Sequence, residues 1–110
     1  MRITDSPEFD RVYRRGAAYR GKLFSVHAFP NEAGNPRLGL SVSKKVGNAV
    51  VRNKVRRRLK EIFHARMEEK ERVLQSLDFV VSARPASSAA SFQDLEREFS
   101  VALKKLEGRV

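Results

Sequence analysis

Between residues 48 and 67 the chain reads NAVVRNKVRRRLKEIFHARM, and Val51, Val55, Leu59, Ile62 and Phe63 recur at spacings of four, four, three and one. That rhythm returns to one side of an α-helix and to neither face of a strand, so it predicts a helix with one apolar stripe turned to a core. Asn48 is a natural cap for it, and it should run to about Met67. Turning by about 100° per residue puts Asn53, Arg56, Arg57 and Lys60 opposite the stripe, with Arg52, Lys54 and Arg58 on its flanks. Residues 52 to 60 thus hold six cations and no acid.

A charged helix face is usually just solvated, but a solvated face mixes signs, since Glu and Lys four apart support a helix while like charges four apart weaken it. Here Arg52, Arg56 and Lys60 stack as like charges, as do Lys54 and Arg58. They also crowd the N-terminal half, where the helix dipole disfavours cations. Local terms of one sign point to an anionic partner. Residues 1 to 60 carry 15 Lys and Arg against 4 Asp and Glu, a balance of +11, whereas residues 61 to 110 balance at −1. Lys44 and Lys45, just ahead of the helix, extend the basic surface, and N–H groups at the helix start add to it. A polyanion such as nucleic acid suits this one-sided charge; a membrane surface would want bulky apolar residues opposite the cations and free to insert.

The rest of the chain supplies a scaffold. Ser6, Pro7 and Gly16 bracket a short helix over 7–15 with Phe9, Val12 and Tyr13 as its stripe. Segments 22–29 (KLFSVHAF) and 37–43 (RLGLSVS) alternate as strands and, joined through NEAGNP, predict a hairpin. Phe24, Val26 and Ala28 form one face of the first strand; Ser25, His27 and Phe29 form the other, which suits the floor of a shallow binding cleft. Segment 77–83 (LDFVVSA) is a further strand. Ser91 with Asp94 reads as a capping box for a helix carrying Phe92, Leu95, Phe99, Leu103 and Leu106 and closed by Gly108. The order helix, strand, strand, helix, strand, helix predicts one α+β domain over residues 1–110, with helices on one face of a small sheet. With no cysteine, no 18-residue apolar window and no signal-type start, a cytoplasmic location without a membrane is expected.

Catalysis by the chain itself finds little support. The basic part offers only Asp5, Glu8, Asp10 and Glu32 as carboxylates, and metal-dependent nucleases need several converging on an ion. Gly47 stands alone rather than in a phosphate loop. His27 and His64 have no chelating spacing, so no protein metal site and no catalytic residue is expected. On spacing, Phe9 and Tyr13 are more often core than stacking groups. The residues alone read as a basic RNA-binding module.

The run GLSVSKKVGNAVVRNKVRRRLKEIF, residues 39 to 63, resembles the signature of the bacterial ribonuclease P protein component, with a GLSVSKK-type strand, a GNAV-type turn and the basic helix known as the RNR motif. The likeness extends to EFDRVYRRG (8 to 16) and DFVVSARP (78 to 85). It implies a subunit that binds the catalytic RNA of ribonuclease P and the 5′ leader of precursor tRNA. The RNA would supply the active site and use Mg2+, with no obligate protein partner. Contacts to the RNA would fall to Arg52, Asn53, Lys54, Arg56, Arg57, Lys60, Lys44 and Lys45. Phe9, Val12, Tyr13, Phe24 and His27 would line or support the leader cleft, where stacking contributes about 1 to 3 kcal/mol per base. The implied fold is a small α/β sandwich, a mixed sheet of about four strands with three helices and a left-handed β-α-β crossover. The family often has arginine where Lys54 and Lys60 stand and a larger aromatic where His27 stands, which predicts less bidentate phosphate contact and a weaker or pH-sensitive leader contact. A ribosomal or general single-strand RNA-binding protein without a processing role is the alternative that composition leaves open.

Overall fold

The computed structural model describes residues 17–31, 35–68 and 77–107. The helix expected over 7–15 lies outside them, together with Phe9, Val12 and Tyr13. In chain order the elements are β1 (Ala17–Arg20), β2 (Phe24–Pro30), β3 (Arg37–Ser41), α1 (Ala49–Glu68), β4 (Leu77–Ala83), a 3₁₀ turn (Pro85–Ala89) and α2 (Phe92–Glu107). A mixed four-stranded sheet and two helices thus make up the described residues, matching the expected α+β class.

The strand order is β1-β2-β4-β3, with β1 and β2 antiparallel, β2 and β4 antiparallel, and β3 and β4 parallel. This corrects the expected hairpin, because β4 lies between β2 and β3. The reason lies in β4 itself. Leu77 to Val81 are all buried, so the segment wants neighbours on both edges and cover on both faces, and only a central position provides that. β3 and β4, being parallel, need a long crossover, which includes α1.

β1 was not foreseen, since four residues, AAYR, are too few to show an alternation. It forms by pairing with β2 across a tight turn, Ala17 opposite Ala28 and Arg20 opposite Ser25, with the Gly21 N–H donating to the Phe24 carbonyl at 3.0 Å.

Cross-strand rows Ala17–Ala28–Phe79–Leu38 and Tyr19–Val26–Val81–Leu40 face the helices. Above them Phe63 of α1 meets Phe79 edge-on at 5.5 Å and Phe99 of α2 at 6.4 Å, while Phe24 meets Phe99 at 6.3 Å. Val55, Leu59, Ile62 and Phe63 of the predicted stripe are buried. α1 packs on β3 and the 3₁₀ turn, α2 on β1, and the two helices on each other. Each ring burial at this junction contributes roughly 1.5 to 3 kcal/mol.

Both helix starts form as the residue types dictate. The Asn48 Oδ1 accepts the Val51 N–H at 3.0 Å, and its carbonyl accepts the Arg52 N–H at 2.9 Å. The Ser91 Oγ accepts the Asp94 N–H at 3.1 Å, while the Asp94 Oδ2 accepts the Ser91 N–H at 3.3 Å. That backbone N–H is the main reason the Asp94 carboxyl titrates below its ordinary range, helped by the Ser91 hydroxyl and Arg97.

Candidate nucleic-acid interface

The basic half of α1 follows the helical spacing in part: Asn53 and Arg57 stand opposite the stripe as expected, whereas Arg56 and Lys60 lie nearer to it than the spacing predicts. Asn53, Lys54 and Arg57 are exposed, and Arg52, Arg56 and Lys60 are half-buried on the rim of the core stripe. Lys44 and Lys45 are exposed in the turn before the helix, anchored by buried Val46, whose N–H donates to the Ser43 carbonyl at 3.1 Å. Ion pairs among the described residues join Arg37 to Asp78 and Arg97 to Asp94. None of them neutralises a cation of α1.

Three side chains on this helix have specific local roles. The Asn53 Oδ1 accepts a hydrogen bond from Arg56 Nη1 at 3.2 Å, so Asn53 orients its neighbour one turn on. The Arg52 Nε is buried without an acceptor among the described residues, so this arginine reaches outward only through the far end of its guanidinium. Arg58 instead turns to the scaffold: its Nη1 donates to the Ala90 carbonyl at 3.1 Å and ties α1 to the entry of α2.

The sheet has a second face, turned away from the helices, and strand alternation decides who stands on it. Rows Ala18–His27–Val80–Gly39 and Arg20–Ser25–Ser82–Ser41 cross it, with Phe29, Asp78 and Arg37 in a third. Small and hydroxyl side chains stand on this face around Val80, Gly39 and Asp78, which are buried. His27 is half-buried there. Burial first, and the Arg20 charge second, push its pKa below the usual histidine value, leaving a neutral ring at pH 7. Arg20 was missed because β1 was missed. At the far end buried Asp78 accepts from Arg37 Nε at 2.6 Å and from Asn31 Nδ2 at 2.8 Å, which fixes that arginine in a bidentate grip.

Phe24 requires a correction. It is three residues before His27 and therefore on the other face, 0% exposed and packed on Phe99. A ring in that position cannot line a cleft on the His27 side; it supports the sheet from below.

The donor set does not fit a metal held by the described residues. No three His, Cys, Asp or Glu side chains among them converge. Asp78 is taken up by Arg37 and Asn31. The Glu98 carboxylate accepts backbone N–H groups of Lys22, Leu23 and Phe24, each at 3.1 Å. No described helix is long and apolar enough to cross a membrane.

The family model Ribonuclease P matches residues 1–107. A ribonuclease P protein component from Clostridium botulinum (strain 657 / Type Ba4) is 39% identical over 104 residues, covering 94% of this chain and 92% of that protein. The one from Clostridioides difficile (strain 630) is 34% identical over 100 residues, covering 91% and 86%. Among solved structures, the Staphylococcus aureus RNase P protein superposes with a TM-score of 0.82 at 33% identity, covering 94% of this chain and 92% of that one. The Thermotoga maritima RNase P protein gives 0.79 at 25% identity, covering 100% and 97%.

Proposed function

The chain belongs to the ribonuclease P protein family, and from that premise we propose that it docks the catalytic RNA of ribonuclease P through the basic half of α1 and steadies the 5′ leader of precursor tRNA on the open face of the sheet. It works as the protein subunit of a tRNA 5′-processing ribonucleoprotein. The observation that carries the docking surface is the cluster of cations on α1 that no described acid neutralises. Arg52, Asn53, Lys54, Arg56, Arg57 and Lys60, with Lys44 and Lys45 beside them, would release condensed counterions as they meet phosphates, a driving force that falls steeply with salt. Arginine can grip a phosphate with two donors, lysine with a point charge.

On the open face, His27 would meet the leader as a neutral ring above a floor of small residues. Phe9, Val12 and Tyr13, which the resemblance assigns to the same cleft, lie outside the described residues. No three carboxylates converge among the described residues, and on that ground we assign cleavage chemistry and its magnesium to the RNA. The protein's part is electrostatic and positional: it neutralises phosphates, orients the RNA elements and holds the substrate strand.

Reconstitution tests this. Precursor tRNA is incubated at low magnesium with a bacterial ribonuclease P RNA, with and without the protein, and with the protein alone. Strong stimulation of RNA-dependent cleavage, with no cleavage by the protein alone, is expected. Tight RNA binding without stimulation would reduce the role to a general RNA-binding module.

A further inference from the structure

A second group of cations stands at the edge of the sheet farthest from β3. On β1, Tyr19 points toward the helix layer and Arg20 toward the open face, as their pairing partners Val26 and Ser25 do. Lys105 reaches over from α2, its Nζ 5.6 Å from the centre of the Tyr19 ring. Together with Ala18 these three side chains enclose a notch of about 230 Å³.

The turn beside the notch is built so that its nearby acid is occupied. Glu98 spends both oxygens on the N–H groups of Lys22, Leu23 and Phe24, and so braces the β1–β2 turn rather than pairing with Lys105 or Arg20. Gly21 allows this: a Cβ there would fall 2.6 Å from the Tyr19 ring and 2.8 Å from the Glu98 carboxyl carbon. Burial and Glu98 raise the Tyr19 pKa, so its phenol keeps its proton at neutral pH. Two cations and a neutral phenol around a small opening suit a tetrahedral oxyanion.

The strand order gives that opening a place in the whole. β1 and β3 are the two edges of the sheet, three strand spacings or about 14 Å apart, with α1 on the β3 side. A strand of RNA that crosses the open face from the α1 side leaves over β1, where Arg20 stands on the face and Lys105 beyond the rim. We propose that the notch formed by Tyr19, Arg20 and Lys105 seats a backbone phosphate of RNA, supplied by the part of the leader that runs past the β1 edge. This rests on the reading that the leader lies on the open face.

The test measures precursor tRNA affinity for the assembled holoenzyme with two leaders, one confined to the sheet face and one long enough to pass β1. Wild type, Lys105→Gln, Tyr19→Phe and the neighbouring-lysine control Lys104→Gln are compared, together with binding of the catalytic RNA alone. Lys105→Gln should weaken long-leader binding roughly threefold to tenfold and lower its salt slope by about one, with the short leader and RNA assembly unaffected. Tyr19→Phe should lose less, in the same leader-dependent way, and Lys104→Gln should show no dependence on leader length.

Equal loss for Lys105→Gln with both leaders overturns the assignment, as does no loss with either. A loss confined to assembly with the catalytic RNA overturns the leader as source and gives the phosphate to that RNA instead. If the wild type itself gains nothing from any leader, it is the leader reading that fails; if it gains and Lys105→Gln gains as much, the notch alone fails.

Discussion

Asn53 and Arg56 show how a single hydrogen bond separates charge from orientation. Arg56→Ala removes a phosphate contact and should lower the salt slope of RNA binding by about one. Asn53→Ala leaves every cation in place but frees the Arg56 guanidinium, so affinity should fall by about 0.5 to 1.5 kcal/mol with the salt slope unchanged. Binding isotherms at several salt concentrations check both, and a changed slope for Asn53→Ala would sink the orienting role. His27 makes a second case. Its folded pKa lies below 6.5, so the unfolded chain takes up protons there before the folded one does. Stability contributed by this site is therefore full above pH 6.5 and declines as pH falls through and below it. Thermal unfolding across that range should show the decline in wild type and a smaller one in His27→Gln. The sequence supported a pH-sensitive His27, but not the direction of its shift, because that depends on burial and on Arg20 in an unforeseen strand.

At the scale of elements, α1 divides into cations on its exposed side and rim and two, Arg58 and Arg66, that bond to the scaffold at Ala90 and Ser100. Arg56→Ala/Arg57→Ala/Lys60→Ala should weaken binding to the RNA subunit and flatten its salt dependence, while thermal stability changes little, since alanine favours helix and like-charge repulsion is relieved. Arg58→Ala should behave oppositely: stability falls by about 1 kcal/mol with the loss of the bond to Ala90, and the salt slope stays nearly the same. A shared slope change would show that Arg58 touches RNA. This helix was the most legible part of the chain, because its period of apolar residues depends only on neighbours three and four positions away. The same holds for α2 and for β4, whose ends fall where the residue types indicate. Phe24 was misplaced for a different reason: alternation puts it on the opposite face from His27, and assignment by likeness passed over that alternation.

For the whole molecule, pairing is what local patterns could not convey. Alternation tells which face a strand residue occupies, but not which strand lies beside it, so β2 and β3 read as a hairpin although β4 separates them. The junction of Phe63, Phe79 and Phe99 joins both helices to that central strand. Phe63→Ala should cost about 3 to 5 kcal/mol, a large share of the roughly 5 to 15 available to a domain, and RNA binding should be lost along with the cooperative unfolding transition.

The central place of β4 also governs the order of events during synthesis. A ribosome that has released only the first 76 residues has made β1, β2, β3 and α1, yet β2 and β3 have no common partner, and the apolar stripe of α1 lacks Phe79 and Phe99. A fragment ending at Ser76 should therefore remain unfolded by circular dichroism and hydrogen exchange, and regain structure only when the remaining residues are restored. Until then the chain leaves the ribosome as a polycation without a core, beside the RNA-rich surface of the machine that makes it, so its most basic segment is free to meet RNA before the protein has a fold.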